Sequence, residues 1–136
     1  KLISVAERFL KLGVYEVSVG DTIGVATPVQ VRSYLKELLK TVPLTQTAMH
    51  FHDTRGMALT NILVSLEEGI SVFDSSSGGL GGCPYAKGAT GNVATEDVWY
   101  LLQSFGIDTG IDIKKLSEAS EFILGKVQRN TESKFL

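Results

Sequence analysis

"VYEVSVGDTIGVATP", residues 14–28, writes one strand, one turn and one helix start in a single stretch. Val14 to Val19 alternate and are rich in β-branched and aromatic side chains, which predicts a strand. Gly20-Asp21-Thr22 breaks it. Thr27-Pro28 then predicts a helix, with a hydroxyl at the N-cap and proline at the first helical position, where its missing N–H costs nothing. Val31, Leu35, Leu38, Leu39 and Val42 follow at helical intervals until Pro43 stops them.

The same rhythm extends outward in both directions. Upstream, Leu2, Val5, Ala6, Phe9 and Leu10 form a helical stripe within Lys1–Leu12, closed by Gly13. Downstream, a second strand is expected at about Ala48–His52 and a helix at Met57–Glu68, ending at Gly69. A third strand is expected at Ser71–Asp74. Thr95 is read as the cap of a helix running to Phe105. Asp112 opens a last one, with Leu116, Ala119, Ile123 and Val127 on one side. Strands alternating with helices predict a parallel sheet.

Two parallel architectures compete. An open doubly wound sheet places its ligand at one switch point, whereas a barrel places its site on the loops after successive strands. Here each strand ends in a polar cluster: "GDT", "HFHDT" and "DSSSGG". Three such ends in succession favour the barrel mouth. A complete barrel takes about 250 residues, and this chain has 136. The expected fold is therefore α/β, the C-terminal half of a (β/α)8 TIM barrel with parallel strands and a C-terminal helical extension. Residues 1–136 form one partial domain that lacks the N-terminal strands. The start at Lys1 rather than Met reads as a fragment or processed product.

Composition narrows the function. The chain is 43% hydrophobic and 21% charged, ordinary for a globular domain. Its net charge is −2 with scattered Lys and Arg, so the basic footprint of a nucleic-acid partner is missing. No apolar run approaches the roughly 20 residues of a membrane span, and the N-terminus reads as an amphipathic helix rather than a signal peptide. A single cysteine excludes an intramolecular disulfide and points to a reducing compartment.

The chain's two histidines both lie in "HFHD". His50 and His52 are two apart on a predicted strand and so share a face. With Phe51 turned to the helices, both imidazoles face the barrel interior and make half of a metal site. The competing reading is a polar pair satisfied by hydrogen bonds at a strand end. Asn92 offers a hard oxygen donor suited to Mg²⁺ or Mn²⁺, or serves as a turn residue after Gly91. Glu96 falls in the first turn of its helix, where a carboxylate complements the dipole. Cys83 sits in "SSSGGLGGCPYAKGATGN", residues 75–92, which holds six of fourteen glycines. It is either an exposed bystander prone to oxidation or a thiol carried by a moving loop. The glycines do not fit a Walker phosphate loop.

Together "GDTIGVATP", "HFHDTRGMALTN" and "DSSSGGLGGCPYAKGATGNVATED" resemble the C-terminal half of the 3-hydroxy-3-methylglutaryl-CoA lyase family. These are metal-dependent (β/α)8 barrels within a superfamily that makes or breaks carbon–carbon bonds. Condensing relatives of the isopropylmalate and homocitrate synthase type share the His-x-His and the Gly-Asn. They typically carry a shorter "NGxGERAGN" loop without the cysteine.

The resemblance implies that His50, His52 and Asn92 are three of four ligands to a divalent metal, Mg²⁺ or Mn²⁺, and that Cys83 is catalytic. It implies that Asp21 and Thr22 line the substrate pocket and that Glu96 stands one layer behind the metal. The fourth ligand is an aspartate beside a catalytic arginine on the first barrel strand. No "DxxRDG"-type motif occurs here, so both are absent and the segment alone is expected to be inactive. A non-catalytic half-barrel is the alternative. The implied reaction splits 3-hydroxy-3-methylglutaryl-CoA into acetyl-CoA and acetoacetate, in leucine degradation and ketone-body formation. The implied partners are an acyl-CoA substrate and a second copy in a homodimer, with no nucleic acid or membrane. The implied compartment is the bacterial cytoplasm or the mitochondrial matrix.

Overall fold

A computed structural model describes residues 1–82 and 91–136. Three strands, β1 (Val17–Asp21), β2 (Thr47–Phe51) and β3 (Phe73–Asp74), form one parallel sheet in sequence order. Helices α1 (Leu2–Lys11), α2 (Pro28–Leu38) and α3 (Ala58–Glu67) alternate with them, and α4 (Thr95–Ser104) and α5 (Ile113–Val127) follow. Among the described residues, β1 and β3 each keep one edge without a strand partner.

Local chemistry explains most boundaries. Thr27 and Gln30 form a reciprocal capping box, each side chain serving the other's backbone N–H, with Pro28 at the helix start. Asp112 caps α5 by accepting from the Lys114 and Lys115 N–H groups. Gly13 follows the end of α1 with φ +85°, a left-handed position that glycine adopts without steric cost.

Four expected boundaries move. β1 starts at Val17, not Val14, and continues through Gly20 and Asp21. Its pairing with β2 runs to Asp21↔Phe51, so ladder bonds outweigh the weak strand preference of Gly and Asp. α2 stops at Leu38, and Pro43 instead leads into a short 3-10 turn, Leu44–Gln46. β3 is only Phe73–Asp74. Thr95 is the first residue of α4 rather than its cap. Ala94 holds the cap position without a side-chain bond, and the Thr95 hydroxyl pairs with that of Ser75 at 2.9 Å.

Alternation along the strands sorts two faces. Val19, Met49 and Phe51 join Val31, Leu35, Leu38, Ala58 and Ile62 in the core beneath the helices. Burying one such Leu or Ile side chain contributes about 1.5–3 kcal/mol. The opposite face carries Ser18, Gly20, Ala48, His50 and Asp74, and the pairing sets Gly20, His50 and Asp74 in one row. Phe51 is thus on the helix side, as the sequence reading requires.

Candidate metal and active site

His50 lies near the end of β2 and His52 just past it. The two rings meet edge to face with centroids 5.1 Å apart, so the two-residue spacing brings them to one face. His52 is buried, and the His50 side chain keeps 28% exposure. Asn92 arrives from the far side of the glycine-rich segment. It bridges to His52 in an isolated antiparallel pair and stands in hydrogen-bonding reach of His50. Its Nδ2 donates to the Leu80 carbonyl at 3.0 Å. The sheet and one returning segment therefore bring two imidazoles and an amide together at the strand ends.

Burial, and secondarily the neighbouring His52, push the His50 imidazole below its usual pKa. Asp74 and Asn92 pull against that shift. The neutral ring is the form that ligates a metal. Among the described residues no three His, Cys, Asp or Glu side chains gather into a metal-holding group. The set in place is His, His and Asn, which fits a divalent ion only once further ligands join it.

The other expected residues divide. The Asp21 carboxylate accepts from the Val25 and Ala26 N–H groups at 3.3 and 2.9 Å, closing its own loop. Its parity puts it on the helix side of β1. Thr22 is exposed. Its Oγ1 and His50 Cδ2 each lie 3.7 Å from where a Gly20 Cβ would stand, so both flank Gly20 on that face. Glu96 is fully buried. Both its oxygens accept from Gly78 N–H, at 3.1 and 3.0 Å, and it makes a short bond with the Ser120 hydroxyl. It thus ties the root of the glycine-rich segment to α5. Cys83 and the expectation of loop motion around it lie outside the described residues.

Two groups were missed in the sequence. Ser18 Oγ donates to Asp74 Oδ2 at 2.7 Å, and that oxygen stands 3.9 Å from His50 Nδ1. The available signal was register: Ser18 and Gly20 share the inner face of β1, but no motif marks them. Asp97 is also buried and multiply bonded; beside Glu96 it reads only as another acid in a first turn.

A parallel βα layer that gathers His50, His52 and Asn92 at its strand ends forms part of a (β/α)8 barrel, a fold whose sites lie at that end. The chain belongs to the HMGL-like family, whose profile matches residues 1–123. It is 52% identical over 134 residues to the mitochondrial hydroxymethylglutaryl-CoA lyase of Mus musculus, covering 98% of this chain and 41% of that one. Its structure is similar to hydroxymethylglutaryl-CoA lyase from Pseudomonas aeruginosa, with TM-score 0.93 and 51% identity, over 98% of this chain and 44% of that one. An HMG-CoA lyase from Acinetobacter baumannii, solved with coenzyme A and 3-methylmalate, matches with TM-score 0.91 and 41% identity over 98% and 44% of the two chains. The chain therefore spans about two fifths of the length of these relatives. None of its described helices is long and apolar enough to cross a membrane.

Proposed function

We propose that residues 1–136 are the C-terminal part of one barrel whose N-terminal strands lie outside this chain, and that the whole protein cleaves 3-hydroxy-3-methylglutaryl-CoA to acetyl-CoA and acetoacetate. The convergence of His50, His52 and Asn92 at the strand ends carries this reading. Among the described residues the edges of β1 and β3 have no strand partner, which supports the first part, because closing a barrel needs strands there. Coenzyme A in the Acinetobacter structure supports an acyl-CoA ligand.

His50, His52 and Asn92 would hold a Mg²⁺- or Mn²⁺-like ion, with an anionic ligand from outside this segment. When bound, such an ion polarises substrate oxygens and lowers the pKa of a hydroxyl. The chain's own residues orient and exclude. The Leu80 carbonyl fixes the Asn92 amide, and burial keeps the His50 lone pair available. Thr22 presents a hydroxyl next to Gly20, in the row of His50. In the reaction a base takes the proton of the C3 hydroxyl and the C2–C3 bond breaks. C3 becomes the ketone of acetoacetate, and C2 carries the electron pair of the acetyl-CoA enolate. Cys83 either helps protonate C2 or shields the carbanion from side reactions; a thiol with a pKa near ~8.5 can act as an acid at neutral pH. A second copy completes the proposed assembly. The cytoplasm is the proposed compartment for a bacterial host and the mitochondrial matrix for a eukaryotic one.

The test is product formation by the whole protein, with Mn²⁺ binding measured in parallel. Acetyl-CoA and acetoacetate should appear in equal amounts. His50→Ala, His52→Ala and Asn92→Ala should each weaken Mn²⁺ binding by about 10-fold or more. A whole protein that makes neither product, or an Asn92→Ala variant with parental Mn²⁺ affinity, refutes the reading.

A further inference from the structure

The segment after α5, residues 128–136, has no helix or strand, yet Ser133 within it is 6% exposed. One carboxylate holds it. Asp97, 8% exposed, accepts from Ser133 Oγ at 2.6 Å and from the backbone N–H groups of Lys134 and Phe135, both at 2.9 Å. The Phe135 ring packs on Trp99 at 5.5 Å and on Tyr100 at 5.7 Å. Bonds from a carboxylate to several N–H groups are stronger than neutral ones, so this is a latch rather than a loose end.

The other side of the strap grips the root of the glycine-rich segment. Glu132 N–H donates to the Gly78 carbonyl at 3.0 Å, and Arg129 Nη1 reaches the Gly81 carbonyl at 3.4 Å. A Cβ on Gly79 would lie 2.7 Å from Glu132 Cβ, so the two backbones touch with no room for a side chain. Residues 79–81 in turn hold Asn92. A Cβ on Gly81 would stand 2.4 Å from Asn92 Nδ2, and the Leu80 carbonyl accepts from that nitrogen at 3.0 Å. A carbonyl can only accept, so it fixes the amide with nitrogen toward Leu80 and leaves Oδ1, the atom a metal takes, for the histidine side. Glu132 and Lys134 also wall a polar cavity of about 290 Å³ that Asn92 lines.

We propose that Asp97 is a positioning residue for Asn92: it latches the strap 128–136, the strap seats residues 78–81, and these set the donor orientation of the Asn92 amide. The proposal rests on the reading of Asn92 as a metal donor. It gives Asp97 a task in metal affinity without contact to the ion.

The test uses the whole protein, Mn²⁺ titration followed by the electron paramagnetic resonance of the free ion, and backbone amide exchange over residues 76–82. Asp97→Ala should weaken Mn²⁺ binding by about 10–100-fold, as loss of outer support for a metal ligand does, and should speed exchange over 76–82. Ser133→Ala should do both to a smaller degree. The double variant should bind no worse than Asp97→Ala, because both act through one strap. Asp97→Asn keeps the size and one acceptor oxygen and should fall between; it decides the case if the alanine variant does not fold. A folded Asp97 variant with affinity within 2-fold of the parent overturns the proposal. So does weakened binding with unchanged exchange, which would separate Asp97 from the strap. A parent that binds no Mn²⁺ overturns the donor reading of Asn92 instead, and the exchange measurement then decides the latch by itself.

Discussion

Glu96 separates two physical roles by magnitude. A carboxylate that only complements a helix dipole contributes about 0.3–1 kcal/mol. In the structure Glu96 is fully buried and accepts from Gly78 N–H and Ser120 Oγ. Glu96→Ala leaves those two donors without their acceptor, each costing about 1–3 kcal/mol when buried, and adds a cavity. We expect a loss of about 3–5 kcal/mol. Glu96→Gln keeps one acceptor oxygen and should lose about 1–2 kcal/mol. The assay is urea denaturation of the whole protein, comparing midpoints at constant slope. In a double-mutant cycle, Ser120→Ala should cost much less on the Glu96→Ala background than alone, since its partner is already gone. A Glu96→Ala loss of 1 kcal/mol or less, with no coupling to Ser120, refutes the buried-tie account and returns Glu96 to the dipole.

Gly91→Ala should be damaging: its Cβ would sit 1.9 Å from the Gly79 carbonyl oxygen, against a floor of 3.0 Å, so two backbones must part by about 1.1 Å. We expect about 1–3 kcal/mol of destabilisation, together with weaker Mn²⁺ binding through the adjacent Asn92. Wild-type values for both would show that the close approach does not matter. Cys83→Ala and Cys83→Ser should lower turnover of the whole enzyme by about 10²–10⁴ while Mn²⁺ affinity holds, and bound substrate should protect the thiol from alkylation. Near-normal turnover with a lowered melting temperature would make Cys83 a packing residue instead.

Legibility in the sequence followed the range of the forces involved. The βα order, the Thr27 cap and the Asp112 cap were readable because each depends on neighbours within four residues, whereas the reciprocal bond from Gln30 appeared only in the structure. The shared face of His50 and His52 was readable because strand parity is local. The extent of β1 was not: Gly20 and Asp21 have poor strand propensity, and only pairing with His50 and Phe51 keeps them extended. Thr95 was misread for a related reason. Its hydroxyl is taken by Ser75, twenty residues away, so it does not fold back to cap its own helix. The tasks of Asp21, Glu96 and Asp97 were equally hidden. All three are acids beside a strand end or helix start, and partners distant in sequence, or in the next loop, assign them to different work.

The donor chemistry is consistent with the ligand beyond this segment that the family resemblance implies. Two imidazoles and one amide carbonyl bring no negative charge to a dication. A hard ion such as Mg²⁺ is held through carboxylate oxygens. The nearby carboxylate on the inner face is Asp74, but it accepts from Ser18 Oγ and faces the Nδ1 side of His50. In that position it can steer the imidazole, in the manner of the carboxylates that stand behind metal-bound histidines. Asp21, the acid closest in sequence to the mouth of β1, is committed to the amides of its own loop. If His50, His52 and Asn92 hold a dication as proposed, Asp74 and Asp21 are both engaged elsewhere, and a carboxylate from strands that close the barrel would supply the charge. An aspartate at the end of such a strand would meet His50, His52 and Asn92 from the opposite wall. The aspartate that the resemblance implies would fill that role, and Mn²⁺ affinity of the whole protein against that of residues 1–136 alone tests it: equal affinity would show that no charge from outside this segment is needed.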